Sequence, residues 1–195
     1  MFGLFTAHVT GNFVLIGSEL AQPSHGVLIK FLAFPAFIAA VVASRLLALS
    51  ASRRGGTGVR PLLTLQCLLL AACTLCGWLA QPVADGTSGL VLATGMLGAA
   101  AMGVQNAASR LAFGALAPTT VMTGNVTQVV LDAVDLLRGP ADEAVRERIG
   151  KFLWPVLAFG AGAILGAFAY LYASFFALVL PVIILATLVA APLEG

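Results

Sequence analysis

Five apolar stretches, at residues 27–49, 61–80, 89–108, 152–172 and 175–191, are each about as long as a helix needs to cross the roughly 30 Å hydrocarbon core of a bilayer. Lipid offers no partner to a backbone N–H or C=O, so a spanning segment is either a helix or a strand of a closed barrel. None of these runs alternates with the period of two that a barrel requires. The expected fold is therefore all-α: a polytopic helical membrane bundle, a single transmembrane domain over residues 1–195. Composition agrees, with 60% hydrophobic and only 9% charged residues where a soluble domain has roughly 25% charged. A net charge of +2 makes no field of the kind that holds nucleic acid. Nucleic acid is excluded as a partner, and the lipid bilayer is the first partner expected.

The basic residues orient the bundle. Arg45, Arg53, Arg54 and Arg60 follow the first span, and Arg110, Arg138, Arg146, Arg148 and Lys151 lie between the third and fourth. The positive-inside rule places both connections in the cytoplasm, and with them the C-terminus of a multi-pass protein. Lys30 is left to snorkel toward the outer face. Cys67, Cys73 and Cys76 all fall within one span and read as small apolar packing residues rather than ligands. His8 and His25 lack partners at ligand spacing, and no cofactor or metal motif occurs. Pro35 and Pro181 lie inside spans, where each is expected to kink its helix. Gly95, Ala99, Gly103 and Ala107 place a smooth stripe on one face of the third span, and Ala158, Gly162 and Gly166 do so on the fourth. Close helix contact is the expected use of both.

Two segments, 6–22 and 119–137, are too polar for confident spans and too apolar for loops, and they resemble each other. Thr6, Thr10, Gly11, Asn12 and Glu19 align without a gap on Thr119, Thr123, Gly124, Asn125 and Asp132, each 113 residues on. Lys30-Phe31-Leu32 and Lys151-Phe152-Leu153 open the spans that follow. The pattern reads as a duplicated unit, with one repeat over 1–80 and the other over 89–191. A complete crossing by 119–137 would carry four basic residues to the outside, so this segment is expected to enter from the cytoplasm and return. The first segment, by the same count, sits on the outer side, which makes the repeats inverted. Inverted repeats of interrupted helices commonly meet at a polar site.

In the second segment Asn125, Gln128, Asp132 and Asp135 share one helical face opposite Val126, Val129, Val130 and Val134. That polar stripe suits a bundle interior, while an interfacial helix with its acids in water suits Asp135, near the segment's end. Gln105 and Asn106 near the end of the third span suit either interhelical hydrogen bonding or solute contact. The candidate substrate-binding residues are thus Thr10, Gly11, Asn12, Gln105, Asn106, Thr123, Gly124, Asn125 and Asp132. No H-E-x-x-H, no G-x-S-x-G and no acid pair within a span points to catalysis, so an enzyme is not expected. The function expected is a small-solute permease or channel-like transporter with its site between the two Thr-Gly-Asn segments. The alternative is a non-transporting bundle that serves as a structural or interaction partner. A small polar solute and a second copy of the chain are the further partners considered.

The stretches Phe5-Thr6-Ala7-His8-Val9-Thr10-Gly11-Asn12, Gly103-Val104-Gln105-Asn106-Ala107 and Thr120-Val121-Met122-Thr123-Gly124-Asn125-Val126-Thr127 together resemble the YoaK-like bacterial membrane proteins, the family of domain of unknown function 1275. The resemblance covers nearly the whole chain and implies an inner-membrane protein of about six helices with no established activity. It also implies a further apolar span ahead of the first Thr-Gly-Asn box, so that the first repeat here lacks its leading helix.

Overall fold

The computed structural model describes residues 3–21, 26–83, 85–139 and 143–192; His25 and residues 193–195 lie outside them. The elements in order are α1 (Val9–Ala21), α2 (Val27–Arg53), α3 (Val59–Leu79), α4 (Gly89–Leu111), α5 (Met122–Arg138), α6 (Glu143–Ala173), a 3-10 turn (Ser174–Leu178) and α7 (Val179–Ala190). The chain is an all-α bundle, with no strand among the described residues.

Among the described residues four helical runs are long and apolar enough to cross a membrane: α2, α3, α4 and the continuous run Glu143–Ala190. That last run contains both C-terminal spans expected from hydropathy. No loop separates them, because Ser174 takes a φ of 50° and opens the 3-10 turn that folds α7 back. Pro181 is the third residue of α7 and so does not kink a span. First-turn amides have no intrahelical acceptor, and a missing N–H there leaves nothing unmade. Pro35 does lie inside α2, and Pro155 lies inside α6.

The centre of the bundle is α4, packed between α2 and α3. Its stripe of small residues is used as expected, since Ala99 and Ala107 are buried and the glycines admit neighbouring atoms. A Cβ on Gly95 would stand 2.6 Å from Ile29 Cδ1, and one on Gly103 would stand 2.8 Å from the Phe37 carbonyl oxygen. The order of these contacts makes α2 and α4 parallel. On the other side the Cys73 Sγ lies 3.4 Å from the Thr94 carbonyl oxygen, and Gln66 bonds Gln105, so α3 is antiparallel to α4. The hairpin between α2 and α3 turns through Gly55 and Gly58, at φ 77° and 74°, a left-handed backbone that costs glycine nothing.

Against α3 lies α7, also antiparallel. Arg60 Nη2 donates to the Ala191 carbonyl at 3.0 Å at one end, and Gln81 bonds Ser174 at the other. Arg60 thereby gives a cation and a donor to a helix C-terminus, whose last carbonyls lack intrahelical partners. Arg53, Arg54, Arg60 and Arg110 mark this as the arginine-rich end of the bundle, while Lys30, Gln81 and Ser174 mark the opposite end. The second small-residue stripe does not serve helix packing among the described residues. A Cβ added to Gly162 or Gly166 meets nothing within 4 Å, because α6 is held by α5 and by the 3-10 turn and its middle stands off α4.

Candidate functional site

The two Thr-Gly-Asn boxes open α1 and α5, helices of 13 and 17 residues. At 1.5 Å per residue these run about 20 and 25 Å, short of a bilayer core. Residues 3–8 lie along α4, with Leu4 against Gly95 and Thr6 against Gly98, the tenth residue of that helix. The chain then reverses, and α1 returns antiparallel to α2, with Phe13 packed at a tilt against Phe34, 4.7 Å between ring centres, and Glu19 on Lys30. In the second half the chain turns back after Leu111, and Thr119 Oγ1 accepts a bond from Gln105 Nε2 at 3.4 Å. From there α5 returns antiparallel to α6, with Asp132 on Arg148. In both halves, then, an irregular segment enters the bundle, a half-length helix leaves it, and a long helix follows.

The two asparagines hold this break in the chain by the same device. Asn12 Nδ2 donates to the Phe5 carbonyl at 2.8 Å, and its Oδ1 accepts the Phe5 N–H at 2.9 Å. Asn125 Nδ2 donates to the Pro118 carbonyl, also at 2.8 Å. Each bond spans seven residues, so Phe5 and Pro118 stand 113 residues apart, as the two asparagines do. Backbone leaving regular structure inside a membrane protein must still be hydrogen-bonded, and the asparagine amide supplies the partner. The reciprocal bond is chemically absent from the second box because proline has no N–H. Both asparagines are buried. Asn12→Ala, losing two bonds, is expected to cost about 2 kcal/mol and Asn125→Ala about 1 kcal/mol, read by thermal unfolding in detergent. Equal losses would show that the amides act in some other way.

The paired acids also share a role, each binding a base on the following helix. Lys30 Nζ donates to Glu19 Oε1 at 2.6 Å and to the Gly26 carbonyl at 3.3 Å. Arg148 grips Asp132 through Nε and Nη2 at 2.9 and 2.6 Å, and Gln128 Nε2 adds a bond at 2.8 Å. Lys30 is 1% exposed and does not snorkel, since Glu19 of α1 lies across from it. Asp132 is fully buried, so the polar stripe of α5 faces the protein and Val126, Val130 and Val134 face outward. Asp135 is exposed, as the interfacial reading of its position holds.

Hydrogen bonds from Arg148 hold the Asp132 carboxyl below the usual carboxylate range, against the opposing pull of burial. A carboxyl acidified by folding stabilises fully above its unfolded value, about 4. That contribution fades as pH falls from there through the lower native value. Thermal stability is therefore expected to be insensitive to this group from about pH 8 to 5 and to drop below about pH 4. The drop should shrink in Asp132→Asn, and an acid limb of equal size in that variant would assign it to other groups.

The remaining predicted residues divide. Thr10, Thr123 and Gly124 are exposed, for a geometric reason. Two residues are about 200° apart on a helix, so burying Asn12 and Asn125 turns Thr10 and Thr123 away. Gly11 is needed for space, because a Cβ there would stand 2.7 Å from His8 Nδ1, whereas Gly124 meets nothing. Gln105 and Asn106 are half-buried. Gln105 joins a polar chain that the sequence reading missed, for Gln66 Nε2 donates to Gln105 Oε1 at 3.1 Å. Gln66 is 6% exposed. The available signal was a lone glutamine inside an apolar span, where polar residues usually face the bundle interior.

Two cavities open beside the paired threonines. One, of about 670 Å3, is lined by Thr6, Cys73, Thr94, Gly98 and Tyr170. The other, of about 390 Å3, is lined by Gln66, Gln105, Ser109, Thr119 and Leu185 and lies toward the arginine-rich end. Between them sits an apolar cluster of Leu63, Leu70, Ala101 and Leu185.

Apolar helices presenting large hydrophobic side chains outward, with Lys30, Ser44, Gln66 and Thr94 among the polar residues turned inward, define an integral multi-pass membrane protein. Residues 1–191 match the model of the family described as Protein of unknown function (DUF1275), and the chain belongs to that family. No curated protein and no solved structure matches it.

Proposed function

We propose that this chain is a small-solute permease or channel-like transporter of the bacterial inner membrane, built on two inverted Thr-Gly-Asn repeats. The observation that carries the reading is the pair of cavities at opposite ends of the wall made by α3, α4 and α7. Each is lined by the first threonine of one box, Thr6 or Thr119, and the two are parted by the Leu63, Leu70, Ala101 and Leu185 cluster. A solute would pass by displacement of that cluster, with the broken helices α1 and α5 as the elements able to shift. The arginine-rich end would face the cytoplasm.

The test is labelling of Thr6→Cys and Thr119→Cys by a membrane-impermeant maleimide, each in a chain with Cys67, Cys73 and Cys76 replaced. Reaction of the first in intact cells, and of the second only after permeabilisation, is expected; reaction of both from one side ends the inverted reading. In vesicles that take up a solute through the protein, Asn12→Leu combined with Asn125→Leu is expected to abolish uptake while the protein stays in the membrane. Unchanged uptake would remove the boxes from the path.

A second reading, a non-transporting bundle that binds another membrane protein, is favoured by the face of α6. None of its residues is buried, and its glycines 160, 162 and 166 are open. Stoichiometric co-purification of a partner, with labelling of both threonines from one side, would select it.

A further inference from the structure

The cavity of about 390 Å3 is of a size that takes small molecules, and its polar atoms are incompletely used. A glutamine amide offers two N–H donors and a carbonyl oxygen with two lone pairs. Gln66, nine-tenths buried, spends one N–H on Gln105. Its Oε1 accepts nothing among the described residues and its second N–H is unused. Gln105 spends its oxygen on Gln66 and one N–H on Thr119, which leaves its other N–H. The rest of the wall is chiefly apolar, with Leu63, Phe113, Leu185 and Leu188 prominent, and no charged side chain among the described residues lines it.

These facts restrict the occupant. Leaving a donor or acceptor unmade in an apolar site costs about 1–3 kcal/mol each, so the site favours a molecule that both donates and accepts. An ion would enter without a countercharge, at a desolvation cost that the neutral amides do not offset. The apolar wall calls for an apolar body behind the polar head.

We propose that this cavity is a binding site for an uncharged molecule with an apolar body and an amide-like head, read by Gln66 and Gln105. The head pairs with Gln66 through the free Oε1 and N–H, as one amide pairs with another, and the Gln105 N–H adds a third bond. The body rests on Leu63, Phe113 and Leu185. The proposal concerns binding and holds whether or not the chain transports.

The probe is tritiated benzamide, with unlabelled benzoate and benzamidine as competitors of the same shape and opposite charge, applied to the full chain in phosphatidylcholine nanodiscs. Saturable benzamide binding is expected, with both ions at least tenfold weaker. Gln105→Met, which keeps side-chain volume, should weaken Kd about tenfold, the equivalent of one lost hydrogen bond of about 1.4 kcal/mol, and Gln66→Met, which loses two, about a hundredfold. Leu188→Ala, on the exposed part of the apolar wall, is the milder variant that keeps the test alive where a methionine chain folds poorly, and it should weaken binding two- to threefold. Misfolded copies lower the number of sites and leave Kd alone, so the two are read separately. Three results overturn the proposal: no saturable binding of benzamide, a Kd unmoved by all three substitutions, or ions that compete as well as benzamide.

Discussion

Replacing Glu19 by leucine is expected to lower stability by about 3–5 kcal/mol, while replacing Glu19 and Lys30 together by leucine is expected to cost far less. The single change leaves the Lys30 ammonium, 1% exposed, facing an apolar side chain where a carboxylate stood 2.6 Å away. The Gly26 carbonyl at 3.3 Å remains as a neutral acceptor. Removing both partners removes the buried charge itself, and apolar packing then replaces an ion pair whose desolvation had offset much of its attraction. A double-mutant cycle on thermal or denaturant unfolding measures this directly as strong non-additivity. Simple addition of the two single losses would show that Glu19 and Lys30 are held by separate neighbours. The same cycle on the second repeat should give weaker coupling, because Arg148 is 43% exposed and water screens it once its partner is lost.

Gly103→Ala is expected to cost about 1–3 kcal/mol and Gly124→Ala nothing measurable, although both glycines lie on helices and both fall in stretches that carry the family resemblance. At Gly103 the added methyl would stand 2.8 Å from the Phe37 carbonyl oxygen and 3.1 Å from Ala40 Cβ. Neither neighbour can yield by rotating a side chain, so α2 and α4 must separate along their shared face. At Gly124 the methyl meets open space, and helix propensity favours alanine there. Comparing the melting temperatures of the two variants decides the matter. A stable Gly103→Ala protein would mean that the α2–α4 contact is looser than its geometry, and a destabilised Gly124→Ala would mean that its open face is covered.

Much of this was legible in the residues. Spans 27–49, 61–80 and 89–108 fall within α2, α3 and α4 apart from single terminal residues, since hydropathy over about 20 residues decides membrane residence. The 113-residue offset pairing Asn12 with Asn125 reappears as one hydrogen bond made twice. The buried stripe of α5 followed from its spacing at Asn125, Gln128 and Asp132. The break between spans 152–172 and 175–191 coincides with the reversal at Ser174, although no glycine or proline marks the turn. Less legible was the open face of Gly162 and Gly166, because a small-residue stripe states that close approach is permitted and not that a partner is there. Thr10 and Thr123 are exposed where Asn12 and Asn125 are buried, because a helix turning about 100° per residue points residues two apart in nearly opposite directions.

What the sequence by itself determined is the solvent of this protein, its helical class and the match of two segments at one offset of 113 residues, because these depend on composition, on short-range periodicity and on self-comparison. Only the tertiary structure decided how its polar atoms are committed. The partners of Gln66, Asn125 and Asp132 are Gln105, Pro118 and Arg148, brought together by chain reversals and helix packing that no local pattern encodes. Hydrogen bonds are short and directional, so whether a glutamine in an apolar span is satisfied by its neighbours or left facing a cavity is settled by a few ångströms of tertiary placement.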